Sequence, residues 1–225
     1  MNDPLVSVIV AVCNGENFLA QALESVMAQS YVNFEVLIVD DGSTDKTKSI
    51  AERFLNDSRC RYIFQANGGH ASAMNIGVSN AGGELLAFID HDDLWDRRKL
   101  ALQVNALRES PNLDMVFTHW KNFLESGSSG RLKFQHEGLK GYATGTMLIR
   151  KEAFLKVGDF DTTLTKGYFF PWYDRSRILG VREFVLPNLL YHRRVHGENI
   201  SIGKDAEDYK DYFAAIRKVR QQRDQ

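Results

Sequence analysis

Cysteine is nearly absent from this 225-residue chain: Cys13 and Cys60 are the whole supply. Two thiols make no disulfide framework, so a packed core must carry the stability, and a reduced, cytoplasmic setting is the expectation. Charge of one sign is also missing. The formal net charge of −1 gives no global basic field to attract nucleic acid, which argues against a nucleic-acid partner. Apolar runs long enough to span a bilayer are absent, and the opening MNDPLVSVIVAVCN lacks the basic start and long apolar core of a signal peptide. A soluble protein is expected, with peripheral contact at the inner face of a membrane as the membrane role left open. No internal repeat and no dividing linker interrupts the chain.

What is present is an ordinary globular composition, 44% hydrophobic and 25% charged, at a length suited to one large α/β domain. VSVIVAV at 6–12, FEVLIV at 34–39, a short run at 61–64 and LLAFI at 85–89 read as strands, because short β-branched or continuous apolar runs bounded by turn residues suit buried strands. Helical periodicity separates them. Asn14 is expected to cap the first helix, with Glu16 in its first turn, and Ser43 to cap the second. Asn67-Gly68-Gly69 is expected to turn into a helix over 70–81. Alternating strands and helices predict a doubly wound, mostly parallel sheet.

Beyond residue 98 the pattern loosens. Helices are expected over 99–108, 151–156 and from near Pro171, and strands over 115–119, 143–149 and 181–185. GSSG at 127–130 reads as an exposed turn. A charged amphipathic helix fills 204–225; its mixed charge favours packing or self-association, including a homodimer, over anionic lipid.

The chemistry concentrates in LLAFIDHDDLW, residues 85–95. Carboxylates closing a buried strand are costly unless a metal, a partner or water takes up their charge, and open α/β sheets bind ligands beyond the carboxyl ends of their strands. Asp90-x-Asp92 can therefore hold a hard divalent cation, or it is a solvated acidic turn. Asp40 and Asp41, after the second strand, should reach the same crevice, where unrelieved like charges repel.

The ordered set VSVIVAVCNGENFLAQALESVMAQSYVNFEVLIVDDGSTDKT, NGGHASAMNIGVSNAGGELLAFIDHDDLW and, later, HRRVHGENIS resembles the family 2 glycosyltransferases, which share the GT-A fold. The resemblance implies a single domain over 1–203, nucleotide-binding in 1–98 and acceptor-binding in 99–203. It implies transfer of a sugar from a nucleoside diphosphate donor, UDP-linked by preference, to a glycan or glycoconjugate hydroxyl, with inversion, in surface polysaccharide or lipopolysaccharide synthesis. Ala11, Cys13, Glu16, Asp40 and Asp41 then hold base and ribose, and Asn67 and Asn75 line the sugar–diphosphate side. Asp90 and His91 sit at the donor, Asp92 ligates Mg²⁺ or Mn²⁺, and His196 with Arg193 or Arg194 closes on the same diphosphate or ion. Cys13 and Met74 depart from the aromatic and basic residues that many members carry there.

The family's acid pair before a Trp-containing helix is replaced here by Tyr168 and Phe169. That leaves Asp174 as the expected general base, Asp159 or Asp161 as alternatives, and Trp172 and Tyr173 as possible platforms for an acceptor sugar. The same replacement supports a rival, a nucleotide-sugar-binding protein without transferase activity. A nucleotidyltransferase is the poorer fit, since Cys13-Asn14-Gly15-Glu16 offers no basic phosphate loop.

Overall fold

Four apolar runs become the strands that set the architecture: β1 (Val6–Val12), β2 (Phe34–Asp41), β3 (Cys60–Gln65) and β4 (Leu85–Asp90). In the computed structural model, which describes residues 3–124 and 141–196, β1 is buried along its whole length and β4 over its first five residues. Burial on both faces is what continuous apolar runs, as opposed to alternating ones, require. The expected turn at 127–130 and the helix over 204–225 lie outside the described residues.

Strand parity divides the core. Val8, Val10, Val36, Ile38 and Ala87 pack beneath α1 (Leu19–Met27) and α2 (Thr47–Glu52). Ile9, Ala11, Leu37, Val39 and Phe88 face the opposite way, toward α3 (His70–Asn80), as the two-residue period of a strand dictates. β1 pairs in parallel with β2 on one side and with β4 on the other, and β3 extends the sheet beyond β2. The chain therefore reverses its winding between β1 and β4, and a crevice opens at the carboxyl ends of those two strands.

The second half continues the same sheet as β4-β7-β6-β8-β5. Its elements are β5 (Leu94–Trp95), α4 (Lys99–Glu109), β6 (Met115–Leu124), a 3-10 turn at Thr144–Thr146, β7 (Leu148–Arg150), α5 (Lys151–Val157), α6 (Phe169–Ile178) and β8 (Glu183–Val195). β7 runs antiparallel to β4 and β6, β6 parallel to β8, and β5 antiparallel to β8. No helix among the described residues is long and apolar enough to cross a membrane.

Several local expectations change. Asn14 is no helix cap: it takes the left-handed region at φ 53°, its amide donates to Ser43 Oγ, and its side-chain oxygen accepts from the Thr44 amide. Asn14 and Ser43 thus tie the loops after β1 and β2 together, and α1 begins only at Leu19. Asp45 accepts from the Thr47 amide at the start of α2. The strand expected over 143–149 is a 3-10 turn followed by three extended residues, and the one expected over 181–185 runs on to Val195.

Candidate active site

Two adjoining cavities open at the carboxyl ends of β1 and β4. The larger, about 400 Å³, is bounded by Cys13, Asn17 and Phe18 after β1, by Asp90, His91 and Asp92 after β4, and by His70, His196 and residues 165–168. That volume lies in the range of roughly 300–1,000 Å³ that ligand pockets occupy. The smaller, about 220 Å³, lies against Trp120, Tyr142, residues 143–145, Phe170, Tyr191 and Arg193. Asp90, Gly167 and Tyr168 line both.

The acids after β4 form the electrostatic centre. Asp90, Asp92 and Asp93 each offer a carboxylate oxygen, all within 4.8 Å of one another. Each is held by a group from elsewhere in the chain. His70 Nε2 lies 3.0 Å from Asp90, and its other nitrogen, Nδ1, lies 2.7 Å from the Tyr168 hydroxyl. Burial pushes the Asp90 carboxyl up, but His70, with help from His91 and Arg193, holds the group below its usual range. His196 Nε2 sits 2.9 Å from Asp92 Oδ2 and its ring packs on Phe18. Asp93 is buried and accepts from the Tyr191 hydroxyl and, at 2.7 Å, from the Arg194 amide. Its carboxyl is pushed well up by burial and by the charges of Asp92 and Asp90. An all-oxygen donor set suits a hard cation such as Mg²⁺ or Mn²⁺, and a bound cation relieves the mutual repulsion. The residues fit such an ion.

The structure relocates many of the residues expected at a ligand. Asp40 and Asp41 are both buried and hydrogen-bonded within the chain. Asp40 accepts from the Ser43 amide and the Tyr62 hydroxyl at 2.8 and 2.6 Å. Asp41 accepts from Gln65 and from the amides of Gly68 and Gly69, so its carboxylate builds the turn into α3. Ala11 is fully buried, with β2 and β4 paired on either side of it. Glu16 is exposed and accepts from the Lys46 amide. Asn67 donates toward Cys13 Sγ at 3.5 Å. Asn75 is half-buried and lines neither of the two cavities: its side chain brackets Phe160, donating to the carbonyl and accepting from the amide at 2.9 and 3.0 Å.

In the second half, strand parity separates the arginine pair. Arg193 lines the smaller cavity. Arg194 is 2% exposed, lies between the rings of Phe18 and Phe123, and donates to the Asp92 carbonyl and to Gln21. It ties the acidic loop to α1. His196, on the lining of the larger cavity, contacts Asp92. Asp174 is half-buried on α6 and lines neither cavity. Asp159 and Asp161 are exposed, Asp161 accepting from Thr163. Trp172 is core, stacked on Phe154 with its indole N–H on the Gly158 carbonyl. Tyr173 donates to Glu183.

His70, Asp93 and the aromatic walls of the smaller cavity were not among the expected residues. Asp93 had a signal, the third acid of the run. His70 had none, because its partners lie 20 and 98 residues away.

A family model described as Glycosyl transferase family 2 matches residues 7–174. An uncharacterized glycosyltransferase of Rickettsia typhi is 33% identical over 212 residues, 86% of this chain and 64% of the relative. Glycosyltransferase GlyG of Streptococcus pneumoniae is 36% identical over 124 residues, 54% of this chain and 41% of that one. The chain thus spans under two thirds of the length of these relatives. Among solved structures, S. aureus TarS 1–349 in complex with UDP-GlcNAc superposes with a TM-score of 0.76 at 22% identity, over 95% of this chain and 65% of that one. The mannosyltransferase PcManGT of Pyrobaculum calidifontis, in complex with GDP-Man and Mn²⁺, gives 0.69 at 20% identity over 97% and 70%. The fold is the GT-A fold of these transferases.

Proposed function

This chain belongs to glycosyl transferase family 2, and we propose that it moves a sugar from a nucleoside diphosphate donor to a hydroxyl of a glycan or glycoconjugate, with Mg²⁺ or Mn²⁺ held at Asp92 within the acidic cluster. One observation carries the reading: a ligand-sized cavity at the winding reversal of the sheet, with the Asp90 and Asp92 carboxylates on its lining and Asp93 converging on them from the adjoining cavity. A nucleoside diphosphate extends along Cys13, Asn17 and Phe18 toward the acids. Uridine is the favoured base, with support from a structural neighbour holding UDP-GlcNAc; the GDP-Man neighbour makes guanosine the alternative.

The reaction forms a bond from the acceptor oxygen to the sugar C1 and breaks the bond from C1 to the diphosphate oxygen, which leaves with the electron pair. A divalent cation supplies positive charge to that leaving group. The chain's own residues do the rest. His196 and the Arg194 side chain fix the acidic loop, and Tyr191 with the Arg194 amide occupies both oxygens of Asp93. Asp90, the carboxylate that lines both cavities, takes the acceptor proton in place of the off-site Asp174.

The test is a thermal-shift panel of UDP, GDP and dTDP with and without Mn²⁺. A ligand at a hundred times its Kd adds about 2.7 kcal/mol, hence about 5–11 °C at this chain length. Asp92→Ala should abolish the Mn²⁺-dependent part. No shift with any nucleotide refutes the reading. Replacement of the acid pair by the buried Tyr168 and Phe169 favours a second reading, binding without transfer, which predicts the same shifts with neither transfer nor donor hydrolysis.

A further inference from the structure

The smaller cavity lies beside the nucleotide path proposed above and shares Tyr168 and Asp90 with it. Its lining is mainly apolar, and Trp120, Tyr142 and Phe170 contribute aromatic surface to it. Two of these rings are packed against other rings. Tyr142 packs edge-on against Phe117 at 5.3 Å and lies 5.2 Å from Tyr173, and Phe170 packs on Phe169. Surfaces fixed in advance lose little freedom when a ligand arrives.

We propose that this cavity is the acceptor subsite and that it takes one uncharged pyranose ring, stacked by its C–H face on Trp120, Tyr142 and Phe170 with a hydroxyl directed at Asp90. The proposal rests on the transferase reading and narrows its acceptor class. Size is the first argument. At about 220 Å³ the cavity falls below the roughly 300–1,000 Å³ of sites for larger ligands, which suits one ring of a glycan and not an extended segment.

Chemistry is the second argument. A pyranose has an apolar face and a rim of hydroxyls, which matches aromatic walls bordered by a few polar groups. A phosphodiester acceptor has no such face. It would bring its charge against aromatic rings and toward Asp90 and Asp93 on the same lining, where desolvation and like-charge repulsion both oppose it. Arg193 is the cation on that lining, and it donates to Asn122 at 3.4 Å. Tyr168, fixed by His70, is the partition over whose edge acceptor and donor meet. It thereby determines where the ring stops.

The test is saturation-transfer difference NMR on the full chain with UDP or GDP and Mn²⁺. The probes are the methyl glycosides of glucose, galactose, mannose and N-acetylglucosamine, with glycerol 3-phosphate as the contrasting class. At least one glycoside should be saturated at its ring C–H protons. Trp120→Ala and Tyr142→Ala should each weaken it by roughly 3–10-fold, as loss of an aromatic contact implies, while Tyr142→Phe retains it. Saturation of glycerol 3-phosphate alone, of no probe at all, or of a glycoside indifferent to both alanine variants overturns the proposal. A wild-type chain that binds neither UDP nor GDP fails earlier and overturns the transferase reading along with it.

Discussion

Gly145→Ala is the most informative single change, because one methyl group there reaches the acidic centre through one intermediary. A Cβ at Gly145 would lie 2.3 Å from Tyr191 Cζ and Oη and 2.4 Å from Cε2, well inside contact distance. The obstacle is steric and not conformational, since Gly145 is not among the residues with positive φ. Tyr191 is 4% exposed, so its ring has little room to retreat, and its hydroxyl would leave the Asp93 carboxylate. Overpacking costs about 1–3 kcal/mol, and a buried polar group left without its partner about 1–3 kcal/mol. A combined loss of about 3 kcal/mol lowers Tm by about 6–12 °C at this length. Thermal unfolding without ligand reads it directly. Tyr191→Phe, which removes only the hydroxyl, should cost the hydrogen-bond part alone. In a Tyr191→Ala background, Gly145→Ala should add less than about 0.5 kcal/mol, since the clashing ring is gone. A Tm within about 2 °C of wild type, or an equal penalty in both backgrounds, would refute the reasoning.

Asn75→Ala strips both partners from the backbone of Phe160 and should cost about 1–3 kcal/mol while leaving nucleotide affinity by calorimetry unchanged; a specific loss of affinity would restore Asn75 as a ligand. Asp174→Asn should leave turnover within about twofold of wild type, since the residue lines neither cavity, and a loss of tenfold or more, about 1.4 kcal/mol, would return the base to it. Arg59 beside Asp57 holds that carboxyl down at about 2, below its ordinary 3.8. Its contribution is therefore present above pH 4 and lost as pH falls toward 2. Both side chains are about a third exposed, so solvent screening keeps the effect small. The Tm difference between wild type and Asp57→Asn should shrink from pH 5 to pH 2, and a constant difference would exclude the pair as its source.

β1, β2 and β4 were legible because each is built on a continuous apolar run whose burial depends on composition alone. Asp90-x-Asp92 was legible for a related reason: acids closing such a run are conspicuous against it. Other features failed wherever a side chain answers to a distant partner. Asp40 and Asp41 carry the same charge signal as Asp90, but Tyr62, Gln65 and the Gly68 and Gly69 amides consume it, and donors of that kind leave no mark in the acids' own neighbourhood. Asn14 has the composition of a helix cap and the conformation of a loop tie. Arg193 and Arg194 are identical letters whose opposite fates follow from strand parity, and parity could be assigned only once β8 was known to run through to Val195.

The acidic centre is assembled across the chain, and this bears on how the two halves depend on each other. Asp93 meets Tyr191 and the Arg194 amide across 98 and 101 residues, and Asp92 meets His196 across 104. Asp90 is tied through His70 to Tyr168, 98 residues beyond that histidine. Every carboxylate of the cluster is therefore held, directly or through one residue, by the second half of the chain. The first half alone can wind β1 to β4, because those strands pair among themselves. It would nonetheless leave Asp92 and Asp93 without their partners, beside an Asp90 held only by His70, and the like charges repel one another. β8 supplies the partners of Asp93 and, just past its end, His196 for Asp92, and it places Arg193 in the adjoining cavity. The same strand thus borders both cavities, and a change in β8 that disturbs the acidic cluster should disturb the smaller cavity as well.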